Sequence, residues 1–285
     1  MATRREIKRR IRSITSTAQI TKAMQMVAAA RMRRAQQRVQ GSRPYAESIN
    51  EIVADVAGKP GAGEHPLLAQ REVKAVDIVF ITPDRGLAGA MIGNLNRRLL
   101  EFVRGQDKPV RVIAVGRKGR DFALRAGLPV VAEYTGLSDH ASAAEIRPVA
   151  QEVLDDYSSG RADQVFLLYT EFVNTLRQQP KLEQIVPVIP PEGGGATASW
   201  SYEPDNPTQV LSALLPRYLE FTIYHALLES FASYYSAQMI AMSNATDNAQ
   251  ELIRELTLLS NKARQAEITK EISEISAGAE AIRAG

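Results

Sequence analysis

The stretch TQVLSALLPRYLEFTIYHALLESFASYYSAQMIAMSNATDNAQELIRELTLLSNKARQAEITKEISEISA, residues Thr208 to Ala277, carries no glycine and a single proline, Pro216. It predicts one very long helix, with Pro216 near its start either as a first helical residue or as a kink. Place Leu211 at heptad position a and Leu214 at d. Position d then runs Leu214, Phe221, Leu228, Tyr235, Met242, Ala249, Leu256 and Ala263. Position a runs Leu211, Tyr218, His225, Ala232, Met239, Thr246, Ile253 and Ser260. The d row is apolar throughout, and His225, Thr246 and Ser260 interrupt the a row. This is a coiled-coil seam with polar register marks. At ~1.5 Å per residue such a helix reaches on the order of 100 Å. A typical globular helix has ~11–12 residues, so this one needs a partner. Past Ala263 the stripe continues through Ile268, Ile272, Ile275, Ala279 and Ile282, slipped by about one residue, as a straight helix drifts against a strict heptad. The side chains shrink to Ala277, Gly278, Ala279, Ala281 and Ala284. The expectation is a helix that leaves its partner and ends as a slim single rod.

The beginning of the chain supplies that partner. Met1 to Gln40 again has no proline and no glycine. Ile7, Ile11, Ile14 and Ala18 form one stripe, and Ile20, Met24, Val27, Met32 and Ala35 carry on near the same face. Gly41 and Pro44 are the first breakers. Periodicity resumes through Ile49, Ile52, Val53 and Val56. Two apolar stripes on helices too exposed to stand alone suit each other. They are expected to pair antiparallel, with residues 60–207 inserted at one end. The domains read as an N-terminal coiled-coil helix over 1–58, an α/β domain over 73–190 and a C-terminal coiled-coil helix over 208–285.

Residues 58–72 hold Gly58, Pro60, Gly61, Gly63 and Pro66 and read as a linker. Strands then alternate with helices. Strands are expected at Val76–Thr82, Val110–Val115, Pro129–Tyr134, Gln164–Tyr169 and Gln184–Ile189. Helices are expected at Ala88–Val103, Lys118–Arg125 and Ser142–Tyr157. This order implies a mostly parallel, doubly wound, Rossmann-like sheet. Pro190 to Gly195 is a breaker-rich loop, and Trp200 to Pro204 leads into the long helix.

Charge is unevenly placed. Up to Arg43 the basic residues are Arg4, Arg5, Lys8, Arg9, Arg10, Arg12, Lys22, Arg31, Arg33, Arg34, Arg38 and Arg43, against one acid, Glu6, while the whole chain carries only +3. Such a block suits an acidic partner, whether nucleic acid, anionic lipid or acidic protein loops. It also mimics a mitochondrial targeting peptide, but the apolar stripe runs through it unbroken, as in a structural helix. There is no cysteine, which removes disulfides and thiol chemistry. No run of 18 apolar residues suggests a membrane span. His65, His140 and His225 are too scattered in sequence to suggest a metal site.

Asp84-Arg-Gly-Leu-Ala-Gly-Ala90 follows the first strand, where doubly wound folds bind nucleotides. Its glycines lack the dinucleotide spacing, and no Lys-Ser/Thr follows as in a phosphate loop. A tight strand-to-helix turn that needs glycine for its backbone angles explains it better than nucleotide binding does. Asp155-Asp156 reads as a solvated pair at a helix end. Gly116-Arg-Lys-Gly119 could attract phosphate but is short. Tyr218, Phe221, Tyr224, Phe231, Tyr234 and Tyr235 lie at helical spacing and read as packing rather than a base-stacking platform. No catalytic constellation emerges.

Several stretches are similar to those of one family. They are Ile20-Thr-Lys-Ala-Met-Gln-Met-Val-Ala-Ala-Ala30, Asp84 to Gly89, Ala245-Thr-Asp-Asn-Ala249, Asn261-Lys-Ala-Arg-Gln-Ala266 and Ile268-Thr-Lys-Glu-Ile-Ser-Glu-Ile-Ser-Ala-Gly-Ala279. In these the chain closely resembles the gamma subunit of F-type ATP synthases, the central rotor shaft, along its whole length. The resemblance implies an antiparallel coiled coil of the two terminal helices and a Rossmann-like middle domain. It implies a chain without catalytic residues that turns inside three alpha and three beta subunits and regulates ATPase activity and proton flow. ATP, ADP and magnesium are then held by the ring subunits, and this chain binds no cofactor. Implied partners also include an epsilon-type subunit and the membrane c-ring. By resemblance, Met24, Arg85, Arg264, Gln265, Thr269 and Glu271 match contacts with the catalytic subunits. Tyr202 and Glu203 match the membrane-ring and epsilon side. The cysteine-bearing insertion of chloroplast members is missing. The expected location is peripheral, on the cytoplasmic face of a bacterial membrane. Two other readings stay open from the residues alone: a nucleic-acid-binding coiled coil and a nucleotide-binding α/β enzyme.

Overall fold

The computed structural model describes residues 3–58, 65–189 and 207–284. In chain order the elements are α1 (Arg4–Ala57), β1 (Val76–Ile81), α2 (Met91–Arg104), β2 (Val110–Val115), α3 (Arg117–Arg125), β3 (Val130–Tyr134), α4 (Ala143–Ser158), β4 (Gln164–Phe172), β5 (Gln178–Val186) and α5 (Pro207–Ala284). The chain divides into two compact units. One comprises Met1–Val27 with Met239–Gly285, the other Ala28–Gln238. Both divisions fall inside α1 and α5.

In the first unit the two helices pair antiparallel. Arg4 of α1 meets Glu267 of α5 at 3.5 Å, and seventeen positions further along α1 the Thr21 hydroxyl meets that of Thr246 at 2.7 Å. Ile7, Ile11, Ile14, Ala18 and Thr21 face inward at heptad spacing, opposite Met242, Thr246, Ala249, Ile253, Leu256 and Ser260. The polar mark at Thr246 is thus a satisfied one, because its hydroxyl also donates to the Met242 carbonyl at 2.8 Å. Ile20 and Val27, expected in the stripe, are 58% and 55% exposed. The seam passes through Thr21 and Ala28 instead, because the strict heptad from Ile7 outranks hydrophobicity at neighbouring positions. Beyond Ala263 every described side chain of α5 is exposed.

The second unit is built on a five-stranded sheet of order β3-β2-β1-β4-β5. β1, β2, β3 and β4 run parallel, while β5 is antiparallel to β4. Alternation along β1 sends Val76, Ile78 and Phe80 to one face, packed with Leu95 and Leu99 of α2 and Ala123 of α3. Val79 and Ile81 go to the other face, where they meet Ile146, Val149 and Val153 of α4. That second layer is completed by Val53 and Val56 of α1 and Leu211, Leu215, Leu219 and Ile223 of α5. Here the buried stripe of α5 is not the a/d seam: Leu215, Leu219 and Ile223 face the sheet, and the a/d rows take over at Leu228. Each fully buried Leu or Ile contributes about 1.5–3 kcal/mol. The helices pair antiparallel in this unit too. Ser42 Oγ lies 3.0 Å from His225 Nδ1, and the Tyr45 and Phe221 rings are 4.4 Å apart.

The helix breakers and the fifth strand take definite places. α1 runs through Gly41 and Pro44; both are exposed, and buried Val39, Ser42 and Ile49 on either side hold the helix through the lost hydrogen bond. Pro207 takes the first helical position of α5 and Pro216 lies within it. The fifth strand is Gln178–Val186 rather than Gln184–Ile189. It forms a hairpin with β4, closed by mutual backbone hydrogen bonds between Asn174 and Arg177 of 3.1 and 3.2 Å. Its polar sequence hid it, since its early residues are only half-buried on an edge, where Pro180 costs no ladder bond.

A second correction concerns charge. Asp156 is not solvated: it is 1% exposed, and Asp77 in the middle of the sheet is 0% exposed. Arg111 donates from Nε and Nη2 to Asp77 at 2.8 and 2.7 Å and from Nη2 to Asp156 at 2.7 Å. Arg161 Nε donates to Asp156 at 2.6 Å. Burial pushes the Asp77 carboxyl up to about 6. Burial also opposes ionisation of Asp156, but Asp77, Arg161 and Arg111 hold its pKa low. Replacing Arg111 with methionine removes the guanidinium that bridges Asp77 and Asp156 and leaves buried Asp77 without a cation, while Asp156 keeps Arg161; urea unfolding should register a loss of roughly 3–5 kcal/mol. The pH sign is also set. Unfolded Asp77 ionises near ~4, whereas the folded group keeps its proton to about 6. Stability therefore falls as pH rises between those values, and Asp77→Asn should flatten that slope.

Candidate functional site

The sheet order reverses between β1 and β4, so the crevice where doubly wound folds take ligands lies beside the turn after β1. That turn is Pro83–Ala90. Its Asp84 carboxylate accepts a hydrogen bond from Arg117 N at 2.8 Å and from Gly136 N at 2.8 Å. The next two amides of α3 are also taken, Lys118 N by the Pro83 carbonyl at 3.2 Å and Gly119 N by Thr82 Oγ1 at 2.7 Å. A helix N-terminus of this kind attracts phosphate when its amides are free. In this chain the first turn of α3 is filled by the chain's own oxygens. Gly116, at φ 100°, enforces the closeness, because a Cβ there would sit 1.9 Å from the Thr82 carbonyl oxygen. The Asp84–Gly89 stretch and Gly116–Gly119 are therefore two halves of one interlocked turn, with Asp84 as its tie.

The same turn is anchored from α5. Four consecutive residues of that helix reach in different directions. Ser233 Oγ donates to the Thr170 carbonyl at 3.1 Å. Tyr234 Oη donates to the Gly86 carbonyl at 3.2 Å. Tyr235 Oη accepts from Arg31 Nη1 of α1 at 3.4 Å. Ser236 Oγ donates to the Thr175 carbonyl at 3.0 Å. Burial pushes the Tyr234 and Tyr235 phenols upward, so both stay protonated at neutral pH. Arg38 of α1 adds a contact to the loop before α4, bonding the Asp139 carbonyl and, at 2.8 Å, His140 Nδ1. The helices and the strand-end loops are thus joined by hydroxyl-to-carbonyl bonds that periodicity alone does not reveal. The run Ser-Tyr-Tyr-Ser was the only available signal, and its aromatic half was read as packing.

A cavity of about 220 Å³ lies between α1, α5 and the β4–β5 hairpin, lined by residues including Tyr169, Lys181, Glu183, His225 and Glu229. Lys181 bridges Glu171 at 3.3 Å and Glu183 at 3.4 Å. Burial works against its ammonium, yet Glu183 and Glu171 hold its pKa above the ordinary value. Burial drives the Tyr169 phenol far up, out of reach as a base. Among the described residues no three His, Asp or Glu side chains are grouped to hold a metal ion. Among the described residues no helix is long and apolar enough to cross a membrane.

The residues matched by resemblance fall in separate places. Met24 is half-buried beside the seam of the first unit. Arg264, Gln265, Thr269 and Glu271 are exposed on α5 beyond the last half-buried position of the seam, Ala263. At ~100° per residue these four share one half of the helix with Ile268, Ile272 and Ile275, which are 47%, 60% and 72% exposed. They therefore border an apolar stripe. Arg85 is exposed in the turn after β1. Tyr202 and Glu203, with the Pro190–Gly195 loop, lie outside the described residues. Sequence reasoning missed Leu87, which holds φ 65° and is 61% exposed.

Residues 3–282 match the family described as ATP synthase. The ATP synthase gamma chain of Dehalococcoides mccartyi strain CBDB1 is 49% identical over 285 residues, covering 99% of this chain and 100% of the relative. That of Roseiflexus castenholzii is 46% identical over 288 residues, with 99% of each covered. Among solved structures, a chain from the Euglena gracilis mitochondrial ATP synthase OSCP/F1/c-ring assembly superposes with a TM-score of 0.69 at 19% identity, covering 99% of this chain and 95% of that one. A chain from the Tetrahymena thermophila mitochondrial ATP synthase central stalk and c-ring gives 0.62 at 24%, covering 79% and 99%. Both share the fold. Left-handed backbone costs a residue such as leucine roughly 1–2 kcal/mol, while asparagine adopts it readily. Leu87→Asn should therefore raise stability by about 1 kcal/mol in urea unfolding.

Proposed function

The chain belongs to the ATP synthase gamma family, and on that footing we propose that it is the central shaft of a proton-translocating rotary ATP synthase. It turns within three alpha and three beta subunits and couples their catalytic sites to the membrane c-ring, with an epsilon-type subunit beside it. The observation that carries this reading is the pair α1–α5: a heptad seam that ends near Ala263, followed by an α5 segment whose described side chains are all exposed. A segment bare in the isolated chain and striped with Ile268, Ile272 and Ile275 needs a surrounding apolar collar. Its terminal alanines suit turning, since large knobs would lock it.

On this reading the chain carries no catalytic residue and binds no nucleotide; ATP, ADP and magnesium sit on the ring subunits. The occupied amides of α3 support that division of labour. Met24, Arg264, Gln265, Thr269 and Glu271 meet the catalytic subunits, with Arg85 as a further contact, while Tyr202 and Glu203 face the ring and epsilon side. The basic residues of α1 attract acidic loops of the catalytic subunits. The complex sits peripherally on the cytoplasmic face of a bacterial membrane through its partners.

Purification of the tagged chain from gently solubilised membranes tests the assignment. Alpha and beta subunits in threefold excess with ATP hydrolysis support it; the chain arriving alone or with nucleic acid refutes it. Met242, 5% exposed in the seam, offers a second test. Met242→Pro should cost ~3 kcal/mol or more and uncouple ATP turnover from proton movement; preserved coupling would sink the continuous-shaft reading.

A further inference from the structure

The cavity of about 220 Å³ between α1, α5 and the β4–β5 hairpin takes no part in the proposed shaft, and its walls are built with care. Tyr218, Thr222, His225 and Glu229 line it from one face of α5, three or four residues apart. Ile49 and Asn50 line it from α1. Tyr169 of β4 lies opposite Lys181 of β5 in the ladder, and Glu183 stands two residues on, so these three share one face of the sheet. All of these residues belong to the second unit.

Charge in the cavity does not balance. Lys181 is already shared between Glu171 at 3.3 Å and Glu183 at 3.4 Å. Glu229 has no such cation. Its side chain is 12% exposed, and its Oε2 is sealed from solvent without a hydrogen-bond partner among the described residues. Its Oε1 faces His225 Nε2 at 3.4 Å. Ser42 Oγ donates its one proton to the Val39 carbonyl at 2.8 Å, so towards His225 Nδ1, 3.0 Å away, it acts as an acceptor. The imidazole proton then sits on Nδ1, and Nε2 has none to give Glu229 while the ring is neutral. A buried carboxylate without a donor is costly. Burial, then Glu183, Glu229 and Glu171, push the Tyr169 phenol upward, which sets three carboxylates around one ring against the single ammonium of Lys181. Among the described residues no three such groups are close enough to share a metal ion.

We propose that this cavity binds a small organic ammonium, a short aliphatic amine whose N–H groups reach Glu229 Oε2 while its carbon chain lies against Tyr218, Phe221 and Ile49. The ammonium brings both the donors and the charge that Glu229 lacks, and the aromatic walls attract a cation. The volume is below the ~300–1,000 Å³ of pockets for drug-sized ligands, which limits the occupant to a short chain. Seated there, the amine touches α1, α5 and the hairpin together, and fastens both terminal helices to the sheet. The inference does not depend on the shaft reading.

The full chain is titrated calorimetrically with n-butylammonium chloride, sodium chloride keeping the ionic strength constant. Butan-1-ol and sodium butyrate, of the same length but neutral or negative, are the comparison probes. The ammonium should fill one saturable site and raise the melting temperature above that in sodium chloride alone. The alcohol and the carboxylate should bind roughly tenfold more weakly or less. Glu229→Gln keeps the shape of the side chain, removes its charge and should weaken ammonium binding roughly tenfold or more. Ala46→Leu, at a half-buried position of α1 on the cavity wall, fills the space and should block binding with the carboxylate intact. Glu133→Gln, at an exposed position of β3, should leave binding unchanged. Absence of saturable ammonium binding means that water or a proton satisfies Glu229, and overturns the inference. Equal binding of butan-1-ol overturns it as well, because the pocket is then merely apolar. Binding that survives both Glu229→Gln and Ala46→Leu lies elsewhere and overturns it too.

Discussion

Everything in this chain follows from one constraint: neither terminal helix can bury its apolar stripe alone. An isolated helix gains little from its own hydrogen bonds once chain entropy is subtracted. α1 and α5 therefore stabilise each other, and their antiparallel register sets what can happen between them. The stretch between must leave and return at the same end, so a compact α/β insertion fits there without strain on either helix. The register is fixed by heptad spacing from Ile7 and by the polar pair Thr21–Thr246 at 2.7 Å. A buried hydroxyl slipped out of register would lose its partner, which makes misalignment costly.

Between Leu211 and Leu227 α5 serves a different master. There its buried face is set by the sheet, and Leu215, Leu219 and Ile223 act as part of a Rossmann-like second layer beside α4. Further along, Ser233, Tyr234, Tyr235 and Ser236 tie it to three strand-end carbonyls and to α1. Apolar contacts resist separation but slide easily, because they have no preferred direction. Hydroxyl-to-carbonyl bonds are directional and lose strength steeply off angle. A helix fastened by both kinds resists being twisted against the sheet as well as being pulled from it. Asp84, bound to backbone amides of two neighbouring turns, gives the anchored loops the same resistance.

Much of this was legible in the sequence, and the rest was not for identifiable reasons. The heptads at Leu228 to Ala263 and the strands at Val76 and Val110 were visible because hydrophobic period is a local signal. Ile20 and Val27 misled because two stripes one position apart cannot be ranked without the partner helix. β5 was misplaced because a polar, evenly half-buried edge strand carries no alternation and reads as loop. Asp156 was read as solvated because its partners, Asp77 on β1 and Arg111 on β2, are far away in sequence. The residues matched on α5 were named by resemblance alone; no period or spacing singles out Arg264 or Thr269. Leu87 went unseen since its strain is a property of φ, which no residue letter carries.

The bare apolar stripe at Ile268, Ile272 and Ile275 has a consequence for the cell. A newly made copy displays it until something closes around it, and for that interval the chain looks, to chaperones and proteases, like an unfinished protein. On the shaft reading, copies made beyond what the assembly absorbs are the ones left showing that stripe.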